Sequence, residues 1–230
     1  MEYEDIIREL RSMKNPRNIQ GMRRFGIQGK EMLGISMPVI RKMAKDIGKD
    51  HTLAGKLWKS GIHEARLLAC FIDNPEQVTE KQMEDWVKDL DSWDIVDQCC
   101  GQLFDRTSFV EKKIDEWTER KEEFVKRSGF VLMAAKSVHD KQAKDKEFER
   151  YFPIMRKHAT DERNFVRKAV NWALRQIGKR NPTLNKKAIM AGQEIQKIDS
   201  MAARWIANDA LRELKSEAVQ KRLKEKRNKK

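Results

Sequence analysis

The sequence predicts an all-α protein, a curved solenoid of roughly a dozen helices stacked as antiparallel pairs. Three observations lead there. Apolar residues recur at spacings of three and four throughout, the period of a helix with one buried face. Strand signals are scarce: there is no Asn-Gly or Asp-Gly dipeptide and no sustained apolar/polar alternation. Helix starts are marked at short intervals, and pairs of them recur at about the 35–45 residue period of helical repeats.

In chain order, Asn15-Pro16 marks the first break between helices, because proline restricts the residue before it and has no N–H to continue a helix. Ser36-Met37-Pro38 opens a helix ahead of Val39 and Ile40, and Asn74-Pro75 marks the next break. Thr79-x-x-Gln82 is a capping box, Ser92 precedes Trp93 as an N-cap, and Ser108-x-x-Glu111 is a second box. The second half of the helix containing Lys126-Arg127-Ser128-Gly129-Phe130-Val131-Leu132-Met133-Ala134-Ala135 is apolar almost all round, so it is central. Asn181-Pro182 separates the last helices. No linker rich in Gly, Ser or Pro divides the chain, which predicts a single domain over residues 1–214 and a basic, frayed tail over 215–230.

Composition narrows the function. Lys and Arg number 49 against 36 acids, a formal charge of +13, which favours a polyanionic partner. The excess is local: residues 79–125 hold 7 basic and 14 acidic side chains, whereas 126–187 hold 17 basic and 6 acidic. No apolar run approaches the roughly 18 residues of a membrane span, and the chain opens on acidic Met1-Glu2-Tyr3-Glu4-Asp5, so a cytoplasmic protein without a membrane partner is expected. Cys70, Cys99 and Cys100 lack C-x-x-C spacing, and His51, His63, His139 and His158 lack the i,i+4 spacing of a ligand pair. The cysteines read as buried hydrophobes, and neither a metal nor a cofactor is predicted.

Three helices carry candidate chemistry. On the helix opening at Ser92, Trp93, Asp97, Cys100 and Phe104 fall on one side and Asp94, Gln98 and Gly101 on the polar side. Asp97 therefore sits among apolar neighbours, where desolvation penalises its charge. Arg127 projects with Val131 and Ala134 from the central helix and wants a carboxylate or phosphate. Pairing between Asp97 and Arg127 would satisfy both without any function. In Asn164–Arg175, Phe165, Val166, Ala169, Val170, Ala173 and Ile177 form the apolar arc, Trp172 lies at its margin, and Lys168, Arg175 and Lys179 lie beside it. An aromatic bordering a basic stripe suits nucleic acid, though a core Trp beside solvated charges gives the same pattern.

Several ordered motifs resemble the AlkD-like family of DNA alkylation repair glycosylases, which is built from HEAT-like repeats. They are Arg24-Phe25-Gly26-Ile27, Gly34-Ile35-Ser36-Met37-Pro38 with Arg41, Ser92-Trp93-Asp94-Ile95-Val96-Asp97, Lys126-Arg127, Arg167 to Arg175, and Arg204-Trp205-Ile206-Ala207-Asn208-Asp209-Ala210-Leu211. The resemblance implies that Trp93, Asp97 and Trp172 are catalytic and that Arg127 lines the DNA groove, with Lys126, Lys168, Arg175 and Lys179 binding phosphates. It implies excision of cationic N-alkylated purines such as 3-methyladenine and 7-methylguanine from double-stranded DNA, in base excision repair, without eversion of the base into a deep pocket. A monomer is expected, since no heptad seam is present. Two rival readings remain: a non-catalytic helical-repeat protein that binds bent or branched DNA, and a scaffold for an acidic protein partner whose Trp residues are core or interface anchors.

Overall fold

A computed structural model describes residues 2–228, with side chains through residue 225. Fifteen α-helices and one short 3-10 turn make up the described residues: α1 (Tyr3–Ser12), α2 (Pro16–Arg24), α3 (Met37–Ile47), α4 (His51–Lys59), α5 (His63–Ile72), α6 (Glu80–Lys88), α7 (Trp93–Gln102), the 3-10 turn (Phe104–Arg106), α8 (Val110–Thr118), α9 (Glu123–His139), α10 (Asp145–Glu149), α11 (Tyr151–Lys157), α12 (Asn164–Gly178), α13 (Pro182–Gln196), α14 (Met201–Leu214) and α15 (Glu217–Asn228). The only β pairing among them is an isolated bridge between Glu31 and Ile62. The helices exceed the expected dozen because some segments, such as α10 and α11, are short and start after Lys144 and Arg150, residues that do not advertise a cap.

The chain divides into two compact units, Met1–Val110 and Glu111–Lys230. In the first, α5 is the centre: His63, Glu64, Ala65, Leu67, Leu68, Ala69, Cys70 and Ile72 are all buried on it, and α3, α4 and α7 pack against it. The loop before α3 is tied to this helix by Glu64. Its carboxylate accepts from the backbone N–H of Leu33 (2.8 Å), Gly34 (2.6 Å) and Ile35 (3.3 Å), which satisfies three donors that no helix or strand supplies with partners. Gly34 has φ of 76°, and a Cβ there would lie 2.4 Å from the carbonyl oxygen of Asn15, so only glycine fits this turn.

Two of the Asn-Pro breaks turn out to be helix starts. Asn15 accepts from Asn18 N–H at 3.1 Å and Asn181 from Leu184 N–H at 2.9 Å, each with proline as the first helical residue. Thr79 caps α6 by accepting from Gln82 N–H at 3.1 Å. Ser92 holds the cap position of α7 without making the cap bond, a departure explained by its partners below. The helix after Ser108 begins two residues later, at Val110.

In the second unit α9 is central: every residue from Arg127 to Ser137 is buried, and α12 lies along it. Gly129 permits close approach, since a Cβ would meet Thr118 N at 2.8 Å. Cys70, Cys99 and Cys100 are buried free thiols; burial, then the neighbouring Cys70, pushes the Cys99 thiol well above its usual range. Of the basic tail expected over 215–230, Glu217–Asn228 forms α15 and Leu223 is buried. Lys229 and Lys230 lie outside the described residues.

Candidate functional site

Helix α7 presents Trp93 as its first residue and Asp97 one turn later, both half-buried, so the spacing of four does place them on one side. The Trp93 indole N–H donates to the carbonyl of Phe25 at 3.0 Å. A second bond, from Gln28 N–H to Ser92 Oγ at 3.3 Å, stitches the loop after α2 to the start of α7. Ser92 then donates to Asp94 Oδ1 at 2.5 Å. This is why its hydroxyl does not cap the helix.

Asp94, read from the helical wheel as solvent-facing, also meets the Nε2 of buried His63 at 2.8 Å. Burial opposes charge on His63, but the hydrogen bond and charge of Asp94, then Glu64 and Asp91, outweigh it and raise the imidazole above its usual value. On Asp94 burial again opposes ionisation, and the bonds from His63 and Ser92 overcome it, so its carboxyl titrates below the usual value. The raised His63 contributes stability that is complete below the ordinary histidine value of 6.5 and lost as pH climbs through the raised one. The depressed Asp94 contributes stability that is complete above 3.8 and lost as pH falls through the lowered value. The pair is therefore strongest in mild acid. Asp94→Asn is expected to cost about 2 kcal/mol near pH 6 and clearly less near pH 8.5, read by urea unfolding at the two pH values. An equal cost at both would show that charge on the pair contributes nothing.

The other expected site residues lie in the second unit. Arg127 is only 5% exposed, and its Nη1 donates to the Phe165 carbonyl at 2.8 Å. Lys126 is half-buried, with Nζ 3.3 Å from His158 Nδ1 and 3.5 Å from Asp161 Oδ2. Burial and the Lys126 charge both push His158 down, against the bond to Glu119. Trp172 is half-buried and Lys168 exposed on α12. The apolar arc of α12 is buried as the spacing requires, apart from half-buried Phe165. Arg175 is drawn to Glu213, to Asp209 and, at 2.8 Å, to Asn171 Oδ1; Lys179 meets Glu213 at 2.6 Å. Of the expected phosphate-binding side chains, Lys168 is thus the exposed one.

Arg167, Trp205, Arg24 and Phe25 from the quoted motifs, with Arg17 and Arg23 from outside them, complete the picture. Arg167 lies over the ring of Trp205 at 5.2 Å, and Trp205 is partly exposed. On α2 and just after it, Arg17, Arg23, Arg24 and Phe25 are exposed. The absence of acids between Asn15 and Lys30 was the signal available for this basic surface. Among the described residues no group of three or more His, Cys, Asp or Glu is placed to hold a metal ion, and no helix is long and apolar enough to cross a membrane.

Comparison with known proteins sets this geometry in context. Uncharacterized protein Lin0241 of Listeria innocua is 25% identical over 207 residues, covering 85% of this chain and 87% of that protein. A solved structure described as a new family of proteins related to the HEAT-like repeat DNA glycosylases, with affinity for branched DNA structures, superposes with a TM-score of 0.79 at 16% identity, covering 97% of this chain and 96% of that one. That likeness gives the chain the HEAT-like helical fold expected from its motifs. Residues 6–214 match the family described as DNA alkylation repair enzyme, and the chain belongs to that family.

Proposed function

We propose that the protein is a DNA glycosylase that hydrolyses the N-glycosidic bond of cationic N-alkylated purines in double-stranded DNA, 3-methyladenine and 7-methylguanine among them. The observation that carries this reading is the Trp93–Asp97 pair, one turn apart and half-buried on α7 of a chain in the alkylation repair family. N-alkylation gives the base a positive charge and makes it a good leaving group, so little general-acid work is needed. The C1′–N bond breaks, its electron pair leaves with the base, and positive charge develops on the sugar as an oxocarbenium ion. An ionised Asp97 stabilises that charge and orients the water that attacks C1′. Trp93 offers its ring face to the cation, and its tie to Phe25 fixes the indole in place. The family motif implies a second aromatic at Trp172, on α12 of the second unit. Lys168 grips phosphate, while Lys126, Arg175 and Lys179 must exchange a carboxylate partner to do so. Arg127, nearly sealed from water, supports the surface around it.

The test is incubation with N-methylated duplex DNA followed by chromatography of the freed bases, run beside a uracil-containing duplex. Release of 7-methylguanine and 3-methyladenine without uracil is expected; equal rates for 7-methylguanine and uracil would sink the mechanism. The fold relative with affinity for branched DNA structures supports one rival, a binding protein without catalysis. That rival predicts that methylated DNA is bound and no base released. A protein scaffold predicts neither, and the steep fall of DNA affinity with salt expected of phosphate contacts would count against it.

A further inference from the structure

Phe25 is 75% exposed, the most exposed large apolar side chain among the described residues. Its ring meets water, yet its backbone is held firmly. Phe25 N–H and Ile27 N–H both bond to Met22 O, at 3.0 and 3.1 Å, and Gly26 N–H bonds to Arg23 O at 3.0 Å. Trp93 holds the Phe25 carbonyl from the other side, and Gly26 turns the chain at φ of 74°, a conformation natural to glycine. A frayed loop tip would account for an exposed aromatic; this loop is instead bonded on both sides.

Its surroundings are cationic. Helix α2 has no buried residue and is anchored at its N-terminal end, by Asn15 N–H to Leu33 O at 2.7 Å and by Asn18 Nδ2 to Gly34 O at 2.9 Å. Arg17, Arg23 and Arg24 are exposed and have no carboxylate partner among the described residues. Beside Phe25 opens a cleft of about 640 Å³, walled by Arg17 and Arg24 and by the apolar side chains of Met22, Ile27 and Leu67. Asp94 also lines it, but its charge is answered by His63. Arginines flanking an aromatic on a hydrogen-bonded backbone, beside a partly apolar cleft, match the chemistry of a nucleotide, with phosphates outside and a flat ring within.

We infer that Phe25 is a stacking platform for a base that has left the DNA helix, with Arg17, Arg23 and Arg24 holding the phosphates around it. A base stacked in an intact duplex has no free face for Phe25, so the platform makes the protein prefer DNA with an unpaired nucleotide. The inference shares with the proposed glycosylase activity its DNA partner and the bond from Trp93 to the Phe25 carbonyl. It does not require any bond to be cleaved.

The experiment is fluorescence anisotropy of the full chain with a labelled, fully paired duplex and with the same duplex carrying one unpaired extra nucleotide. Wild type is expected to bind the bulged duplex about tenfold more tightly, the size of one base–aromatic stack. Phe25→Ala should remove that preference and leave duplex affinity unchanged, while Phe25→Trp retains it. Arg23→Gln should weaken binding to both duplexes together and lower the salt slope by about one. Wild type without a preference, or Phe25→Ala that keeps it or loses affinity for both duplexes equally, would overturn the inference. Base release measured in parallel separates the two proposals. A bulge preference that depends on Phe25 without base release defeats the glycosylase reading alone, and base release without a bulge preference defeats this one alone.

Discussion

Asp97→Asn is expected to lower release of 7-methylguanine from N-methylated duplex DNA by about two to three orders of magnitude, the scale on which one preorganised electrostatic group acts at a reacting centre. Asparagine preserves the size of the side chain and a carbonyl acceptor but removes the negative charge. The change therefore falls on the transition state, in which the sugar becomes cationic, more than on the bound ground state. Affinity for undamaged duplex should hold or rise slightly, because an anion is taken from a surface proposed to meet phosphates. Single-turnover release and equilibrium binding separate these two effects, and a thermal melt confirms that the variant is folded. Undiminished release would remove Asp97 from the proposed role. A parallel loss of release and of duplex binding would place it in the architecture of the protein instead.

Glu64→Ala is expected to cost about 3–5 kcal/mol of folding stability, by the reasoning that applies when one member of a buried charged hydrogen-bonded set is removed. Glu64 is completely buried, and its two oxygens take the N–H groups of Leu33, Gly34 and Ile35. Alanine leaves these donors without an acceptor and opens a cavity at the N-terminal end of α5, where the carboxylate also faces a favourable helix dipole. The loop it releases carries Gly34, whose carbonyl accepts from Asn18 on α2, so the loss extends to the helix that presents the exposed arginines. Urea unfolding measures the effect, and Glu64→Gln, which keeps one acceptor, should fall between alanine and wild type. A Glu64→Ala variant within about 1 kcal/mol of wild type would show that the loop finds other partners.

The contrast between these residues marks how far the sequence reaches. That Asp97 shares a helix face with Trp93 was legible because the two are four residues apart, and helix geometry alone puts them together. Glu64 carried no local signal, since the three N–H groups it serves lie 29 to 31 residues earlier. The same division holds for the fold. The cap at Thr79 and the centrality of α9 follow from short-range rules, whereas Asn15 and Asn181, read as breaks, cap helices, and the short helices α10 and α11 start after residues that do not advertise a cap. Asp94 is the sharpest case: the helical wheel directs it toward solvent, and His63 from α5 encloses it.

By itself the sequence determined the helical class, the family motifs, the excess of positive charge and the pairing of Trp93 with Asp97 on one helix face. Each depends on composition or on residues within a turn of one another. Only the tertiary structure decided which cations stay exposed and which are spent: Lys168 remains on the surface, whereas Arg175 and Lys179 meet Glu213 on another helix. It alone brought Phe25 to Trp93 across 68 residues. Periodicity records which face of a helix is buried and is silent about what is buried against it, because that is settled by burial and hydrogen bonding between segments distant in the chain.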